Sequence, residues 1–416
     1  MFSNTQKFSF KQTISSLALI SILGLSGCGS DDKASEIVDT PQPSPPPAEQ
    51  PFDIGVAGDG RLDDVVEYFR KEHDLPALAT VLVHNGLIVE QSAMGLRSTN
   101  DSIQVTKDDL WHLGSVSKSM TATLAATLVR DGLIRWDSTL AEIFPELVGT
   151  MIQAHEDIRL EELLAHTSGL QFDYDDIPGL ESYFDDDRDI AAQRYEVLQK
   201  MAVFDATATR GEYAYSNGGY IIAGAMLERA GGFSWESLME NYVFAPLAMN
   251  NSGFGAPDTQ GILAQPVGHA SDEDGGRWYP VDPTTEVVSD NAPIAGPANS
   301  VHASLTDMAN YLAAHLQGAI DEDVAGFLSA EDFDFLHESK SADQYALGWV
   351  VSEERLFHNG SNSIWYAFAS INTDKNIAMF VVTNSYDTQN EESTSVAGVH
   401  ELALALETRF DASQSQ

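Results

Sequence analysis

The fold of this chain is predicted most directly from residues 111–131, WHLGSVSKSMTATLAATLVRD. A glycine and small hydroxyl residues lead into an Ala/Leu/Thr run that is typical of a buried helix. Ser115 and Lys118 lie three residues apart, so a helix places their side chains on one face, roughly 5–6 Å apart at Cβ. Ser115 also lies where the helix should begin, and unpaired backbone N–H groups there favour developing negative charge. Since a desolvated lysine can activate a serine hydroxyl, Ser-x-x-Lys is a candidate nucleophile–base pair.

This motif is weak when it is taken alone. Ser30-Asp-Asp-Lys33 fits it as well and lies in a polar, proline-rich segment. Ser-x-x-Lys is far more often an ordinary helix N-terminus than an active site. The rest of the chain therefore has to supply the other groups that a hydrolytic site needs.

The composition indicates a globular protein that is strongly acidic. The chain has 416 residues, which is enough for a sizeable core. It contains 63 Asp and Glu residues but only 22 Lys and Arg residues. A net charge of −41 argues against nucleic acid or an anionic membrane surface as a partner. The simplest interpretation of the acidity is solubility.

The N-terminus is predicted to be an export signal. Lys7 and Lys11 precede a short apolar run over residues 14–25, which is shorter than the roughly 20 residues of a good membrane span. The run ends in Leu25-Ser-Gly-Cys28, which resembles the bacterial lipobox and contains the one cysteine of the sequence. This resemblance implies that Cys28 is lipidated; a plain secretory signal is the alternative.

Three regions follow from these patterns. Residues 1–27 are the predicted lipoprotein signal peptide, residues 28–57 a Pro-rich acidic tether, and residues 58–416 the folded domain. We expect a lipid-anchored protein of the bacterial cell envelope, on the periplasmic face. The residue after the cysteine is Gly29 and not Asp, and by resemblance to the bacterial sorting pattern for lipoproteins this favours the outer membrane over the inner membrane.

The pattern of the folded region predicts an antiparallel sheet flanked by helices, an α/β (α+β) architecture. An amphipathic helix begins near Leu62, and two β-rich runs flank Asn85-Gly86, a strong hairpin pattern. The middle of the chain is mostly helical, which predicts an inserted all-α subdomain over about 120–310. The last third returns to strands, at 345–351, 363–372 and 376–383, before a terminal helix. The sheet should therefore combine strands from both ends of the chain.

Two further motifs carry functional groups. Tyr215-x-Asn217 precedes an apolar helix, and a phenol beside a lysine can relay a proton, while an amide both donates and accepts hydrogen bonds. His358-x-Gly360 lies at the start of a predicted strand, where the glycine lets the backbone approach a substrate and the strand offers an N–H as an oxyanion donor. His84-Asn85-Gly86 has the same three letters, but a hairpin turn explains it.

Ser-x-x-Lys, Tyr-x-Asn and His-x-Gly in this order resemble the motif set of the serine β-lactamase-like hydrolase family. The likeness is to the branch with a tyrosine second motif, which includes class C β-lactamases, D-alanyl-D-alanine carboxypeptidases, D-aminopeptidases and carboxylesterases. It runs from about Leu62 to the C-terminal helix and includes the segments 163–170, LLAHTSGL, and 345–349, YALGW. It implies a β-lactamase/transpeptidase-like fold and a reaction without cofactor or metal.

The resemblance also implies roles for single residues. Ser115 would be the acylated nucleophile, Lys118 would lower its proton affinity, and Tyr215 would act as general base for acylation and deacylation. Asn217 would orient substrate and lysine. Beside Gly360, the backbone N–H of Ser361 would complete the oxyanion hole together with that of Ser115. His166 would be structural.

His358 stands where many members of the family have a lysine. A histidine is mostly neutral near pH 7, so this departure weakens binding of a substrate carboxylate. We therefore expect a small ester or amide substrate with esterase activity favoured. A D-alanyl-D-alanine carboxypeptidase or D-aminopeptidase acting on peptidoglycan-type peptides and a β-lactamase are the alternatives, and a non-catalytic peptidoglycan-binding lipoprotein is the alternative from another class. The acidic segment 172–189 could favour cationic substrates or bind Ca²⁺, although a solvated loop explains it more simply.

Overall fold

The computed structural model describes residues 52–173, 176–184, 186–259, 261–272, 277–283, 289–387 and 393–415. The predicted signal peptide, Cys28 and nearly all of the predicted tether lie outside the described residues. A compact unit extends from Ile54 to Gln416. Within the described part of the chain, no helix is both long and apolar enough to cross a membrane.

Helices and strands of very different lengths build the folded region. The α-helices are α1 (Leu62–Glu72), α2 (Ser117–Arg130), α3 (Leu140–Ile143), α4 (Gln153–Glu156), α5 (Leu160–Leu164), α6 (Ile190–Met201), α7 (Asn217–Gly231), α8 (Trp235–Met239), α9 (Gly296–Asn299), α10 (Leu305–Ala319), α11 (Ala330–His337) and α12 (Thr394–Gln414). The strands are β1 (Ala77–His84), β2 (Leu87–Gly95), β3 (Leu110–His112), β4 (Gly253–Phe254), β5 (His269–Ser271), β6 (Trp278–Pro280), β7 (Val301–Ser304), β8 (Val350–Ser352), β9 (Arg355–Ser361), β10 (Tyr366–Asn372), β11 (Ile377–Thr383) and β12 (Ser385–Tyr386).

The main sheet joins the two ends of the folded region, as the sequence predicted. Its strand order is β2-β1-β11-β10-β9-β8, and its paired strands run antiparallel. β1 pairs with β11 in the register Leu78↔Thr383 to His84↔Ile377. All seven residues of β11 are buried, which requires cover on both faces of the sheet. α10 and α12 both pack against β11 and provide this cover.

The hairpin between β1 and β2 is confirmed. Asn85 has φ +52° and Gly86 has φ +72°, and two consecutive positive φ values are what a tight two-residue turn between right-twisted strands requires. The amphipathic α1 is also confirmed, with Leu62, Val65 and Val66 buried.

The helical block between the two halves of the sheet is confirmed, but its extent differs from the prediction. Helices α3–α8 follow α2, and the helical part ends near Phe244. The all-α subdomain was predicted to continue to about residue 310. The described residues between 253 and 304 instead contain β4–β7, with a short 3₁₀ turn and the single turn of α9 as their helical elements. β7 pairs with both β3 and β4, because the chain returns there to the segment that precedes Ser115.

Two predicted strands are shorter than expected because turns interrupt them. In the predicted strand 345–351, Gly348 has φ +76° and closes a turn, so only β8, at its end, is a strand. In the predicted strand 363–372, Ser363 has φ +79°, and β10 begins only at Tyr366. In the segment 163–170, α5 ends at Leu164, and the rest of the segment is not helical.

Candidate active site

Ser115 lies in a 3₁₀ turn, Gly114–Val116, between β3 and α2. Gly114 has φ +51°, and a Cβ placed on it would lie 2.3 Å from the backbone N of Ser361. A Cβ on Gly360 would lie 2.6 Å from the backbone N of Ser115. The two glycines therefore let the nucleophile turn and the end of β9 touch through their backbones. This contact brings together the segments that carry the two predicted oxyanion donors.

Lys118 is fully buried, and its Nζ has three oxygen partners. It lies 3.0 Å from Ser115 Oγ, 2.7 Å from Asn217 Oδ1 and 2.9 Å from the carbonyl oxygen of Ala298. The amide and carbonyl oxygens can only accept, so they take up two N–H bonds of the amine. When Lys118 is neutral, its remaining lone pair therefore faces the Ser115 hydroxyl.

The charge states of Lys118 and Tyr215 fit this arrangement. Burial lowers the pKa of Lys118 well below its usual value, against the smaller opposing effect of Asp173. Tyr215 donates a 2.8 Å hydrogen bond to Ser115 Oγ, and burial raises the pKa of Tyr215, so it is a phenol in the free site. The donor direction accordingly runs from Tyr215 to Ser115 to Lys118. Tyr215 is already protonated, so it cannot simply take up the serine proton as a general base. It can act only as a relay, which gives up its own proton as it receives another.

Asn217 is the first residue of α7, and both the oxygen and the nitrogen of its side-chain amide form hydrogen bonds. Ser216 caps the helix by accepting a 2.9 Å hydrogen bond from the backbone N–H of Gly219, which places Asn217 in the first turn. Its Nδ2 donates to Asp173 Oδ1 at 2.9 Å, so its Oδ1 faces Lys118. Asp173 belongs to the acidic segment 172–189, which thus supplies a carboxylate to the site.

His358 lies in the middle of β9, not at the start of a strand, and its side chain is buried. Its Nδ1 lies 2.6 Å from the carbonyl oxygen of Asn359, so Nδ1 carries the proton. Its Nε2 carries no proton and accepts a 3.0 Å hydrogen bond from the hydroxyl of Tyr345. Burial, and then the charge of Lys118, lowers the pKa of His358 to about 3. His358 is therefore neutral at physiological pH and provides no positive charge.

His166 supports the tyrosine loop. It has φ +59° just after α5, and its Nδ1 accepts a 3.1 Å hydrogen bond from the backbone N–H of Ser216. Its ring centroid lies 4.4 Å from that of Tyr215, and burial lowers its pKa well below the usual value. These contacts agree with the structural role that was predicted for it.

The structure brings the predicted site residues of the folded domain together. They are Ser115, Lys118, Tyr215, Asn217, His358, Gly360 and Ser361. Cys28 lies outside the described residues. Within the described ranges, no group of His, Cys, Asp and Glu could hold a metal ion, and Asp175 and Asp185 of the acidic segment fall outside those ranges.

Sequence reasoning missed three contributors to this site. In the sequence, Asp173 is one of several acids in the segment 172–189, and Tyr345 is part of the YALGW stretch. The carbonyl of Ala298 carries no side-chain pattern at all. A search for an acid shortly after the LLAHTSGL segment could have suggested Asp173, but its pairing with Asn217 depends on the tertiary fold.

Comparisons with known proteins agree on one family. The family model described as Beta-lactamase matches residues 62–401. Penicillin-binding protein 4 of Amycolatopsis lactamdurans is 24% identical over 336 residues, which cover 76% of this chain and 82% of that protein. Esterase EstB of Burkholderia gladioli is 27% identical over 203 residues, which cover 47% of this chain and 51% of the esterase.

A solved structure shows the same fold. The D-amino acid amidase from Ochrobactrum anthropi SV3, complexed with L-phenylalanine amide, aligns with a TM-score of 0.67 at 19% identity. The alignment covers 85% of this chain and 100% of the amidase. At this identity the likeness establishes the architecture of the chain.

Proposed function

This chain belongs to the β-lactamase family of serine hydrolases, and from that premise we propose that it cleaves esters or amides through an acyl-enzyme on Ser115. The observation that carries the proposal is the position of Ser115 Oγ between two proton carriers, 3.0 Å from Lys118 Nζ and 2.8 Å from the Tyr215 hydroxyl. Both distances are those of hydrogen bonds that can transfer a proton.

The reaction follows from the donor directions. Ser115 Oγ attacks the substrate carbonyl carbon, and its proton passes to the lone pair of Lys118. The oxyanion that forms is held by the backbone N–H groups of Ser115 and Ser361. The carbonyl re-forms as the bond to the leaving group breaks, and the leaving group takes up a proton from Lys118 by way of Tyr215. Water then attacks the acyl carbonyl carbon as it loses a proton to the same pair. The bond between that carbon and Ser115 Oγ breaks, Oγ takes the proton back, and the acid product leaves.

The charges around the site favour a substrate without a carboxylate. His358 is neutral where many relatives carry a lysine. The other cations of the last third of the chain are each paired with a carboxylate: Lys340 with Glu338, Arg355 with Glu407, Lys375 with Glu407 and Asp411, and Arg409 with Asp59 and Glu90. Penicillins and peptides ending in D-Ala-D-Ala present a carboxylate, so we place esterase activity ahead of carboxypeptidase and β-lactamase activity.

Amino-acyl amides form a second candidate class of substrates. The carboxylate of Asp173 lies 2.9 Å from Asn217 Nδ2, so the site edge carries a negative charge that suits a substrate ammonium group. The amidase with the similar fold was crystallised with an amino-acid amide, which is consistent with this class.

A non-catalytic peptidoglycan-binding role is disfavoured by the same network. A binding protein has no need for a buried lysine whose pKa is lowered and whose lone pair faces a serine hydroxyl.

Labelling and turnover test the proposal. A fluorophosphonate probe followed by intact mass and peptide mapping should show one adduct on Ser115, and its absence would refute the enzymatic role. Hydrolysis of p-nitrophenyl acetate, an amino-acid p-nitroanilide, nitrocefin and a D-Ala-D-Ala peptide should then be compared. We expect the ester to be turned over with the highest kcat/KM, and faster turnover of nitrocefin would overturn the substrate preference.

The lipobox resemblance at Leu25–Cys28 supports a separate proposal about location. We propose that Cys28 carries a lipid that anchors the domain to the periplasmic face of the outer membrane. Metabolic labelling with an alkyne fatty acid should mark the wild-type protein and not Cys28→Ser. Sucrose-gradient fractionation should place the labelled protein in the outer membrane, and recovery in the soluble periplasm would refute the anchor.

A further inference from the structure

A second buried network lies behind the nucleophile turn, apart from the Lys118 network. His112, the last residue of β3, is fully buried, and its Nδ1 accepts a 3.1 Å hydrogen bond from the backbone N–H of Gly114. A ring nitrogen that accepts carries no proton, so the proton of His112 is on Nε2. Nε2 lies 3.1 Å from Oδ1 of Asp290, a close polar contact whose alignment is not that of a hydrogen bond.

The same carboxylate oxygen reaches the end of β9. Asn362, which directly follows Ser361, donates from Nδ2 to Asp290 Oδ1 at 3.1 Å. Asp290 Oδ1 also accepts a 2.7 Å hydrogen bond from the backbone N–H of Asn291, and the Asp290 side chain is only 13% exposed. One oxygen atom of Asp290 thus connects the nucleophile turn to the strand end that faces it.

We infer that Asp290, acting through His112 and Asn362, is a positioning residue that sets the separation of the two oxyanion-hole amides. Gly114, which donates to His112, and Asn362, which donates to Asp290, are the direct neighbours of the two donors, Ser115 and Ser361. Direct glycine contacts at Gly114 and Gly360 keep these segments from moving closer, and Asp290 keeps them from moving apart. This inference rests on the proposed acyl-enzyme function, because an oxyanion forms only if Ser115 attacks a carbonyl.

The geometry predicts a specific catalytic consequence. An N–H group displaced by a fraction of an ångström still permits folding and substrate binding, but it stabilises the developing oxyanion less. Asp290→Ala should lower kcat/KM for p-nitrophenyl acetate by roughly ten- to a hundredfold, mainly in kcat. Asp290→Asn keeps an acceptor oxygen at the same place and should restore most of the activity.

The decisive measurement compares p-nitrophenyl acetate with its thionoester, in which sulfur replaces the carbonyl oxygen. Sulfur accepts hydrogen bonds from N–H poorly, so an intact oxyanion hole favours the oxygen ester. We expect Asp290→Ala to reduce the oxygen-to-sulfur ratio of kcat/KM by about fivefold or more, since the lost stabilisation applies mostly to the oxyanion. Asn362→Ala removes only one link and provides a milder second variant if Asp290→Ala does not fold.

A matched control separates this effect from loss of stability. Asp307 is also a buried aspartate, which accepts hydrogen bonds from the backbone N–H of Asn251 and the hydroxyl of Ser252. Asp307→Ala should lower Tm and leave the oxygen-to-sulfur ratio unchanged. An unchanged ratio in both Asp290→Ala and Asn362→Ala, with active wild-type protein, would overturn the positioning role alone. If the wild type neither labels on Ser115 nor hydrolyses either ester, the proposed function fails and the inference with it.

Discussion

The hydroxyl of Tyr345 lies 3.0 Å from Nε2 of His358, while Nδ1 of the same ring lies 2.6 Å from a backbone carbonyl oxygen. Both ring nitrogens are therefore used, one as acceptor and one as donor, and the imidazole is held in its neutral form. A lysine in this place would face the substrate with a full charge. The Tyr345–His358 pair thus places a neutral group at the position where the resemblance to the family implies a lysine in many members.

His358→Lys should shift the substrate preference towards carboxylates. A charge-assisted hydrogen bond is worth about 1.5–3 kcal/mol, so the ratio of kcat/KM for nitrocefin to that for p-nitrophenyl acetate should rise by roughly tenfold. His358→Gln changes the same side chain without adding charge and should leave that ratio near the wild-type value. If both variants raise it equally, the charge is not the cause.

Buried neutral histidines should make the protein less stable in acid. Burial lowers the pKa of His358 and His337 to about 3 and that of His269 to about 4, against 6.5 for a free histidine. The unfolded state therefore binds more protons below about pH 6.5, and the stability that is present above this pH is lost as the pH falls towards the folded values. Each histidine contributes up to about 1.4 kcal/mol per pH unit in that window.

Urea denaturation of the wild type and His358→Gln at about pH 7.0 and about pH 5.5 measures one of these contributions. The difference between the two proteins is required because the many carboxylates also titrate. We expect the wild type to lose about 1 kcal/mol more than the variant over this interval. Parallel losses in both proteins would show that His358 is not neutral in the folded state.

Acylation of Ser115 should require the neutral amine of Lys118 as a base, and a positive charge at this position should not replace it. Lys118→Met removes the amine, and Lys118→Arg keeps a cation that does not deprotonate. We expect both variants to lose acylation by a factor of about 10²–10⁴, the usual contribution of a general base. Stopped-flow release of p-nitrophenol under single-turnover conditions gives the rate, and thermal denaturation confirms folding. An arginine variant that retains most of the activity would contradict a neutral Lys118.

Asp173 should tune Lys118 through its charge. The carboxylate of Asp173 acts to raise the pKa of Lys118, while burial lowers it more strongly. Asp173→Asn removes the charge, so the pKa of Lys118 should fall further and the acidic limb of the kcat/KM profile for a neutral ester should move to lower pH. Asp187→Asn changes an exposed acid of the same segment and should leave the profile in place. Equal shifts in both variants would point to the overall charge of the segment.

The elements that the sequence predicted correctly are those with a local physical cause. Asn85 and Gly86 both adopt positive φ readily, so this pair predicts a tight turn from local sequence alone. The three-residue spacing of Ser115 and Lys118 places both side chains on one helix face, independently of tertiary contacts. The contacts of Asp173 with Asn217 and of Asp290 with His112 depend on segments far apart in sequence, which only the folded chain brings together. The helical block was extended too far because short strands such as β4 and β7 exist only through their pairing partners.

Gly360→Ala should damage the oxyanion hole through the backbone alone. The added methyl group would lie 2.1 Å from the carbonyl oxygen of Leu113 and 2.6 Å from the backbone N of Ser115, and neither backbone can yield without moving the nucleophile turn. We expect kcat for p-nitrophenyl acetate to fall by roughly 10²-fold, as expected for a displacement of about 1 Å. Ser361→Ala changes the adjacent side chain but keeps its backbone N–H, so it should retain activity within about threefold. Crystal structures or Tm values of both variants establish that each is folded. A fully active Gly360→Ala would show that the two segments can separate without cost, and the assignment of Ser361 N–H as an oxyanion donor would then be wrong.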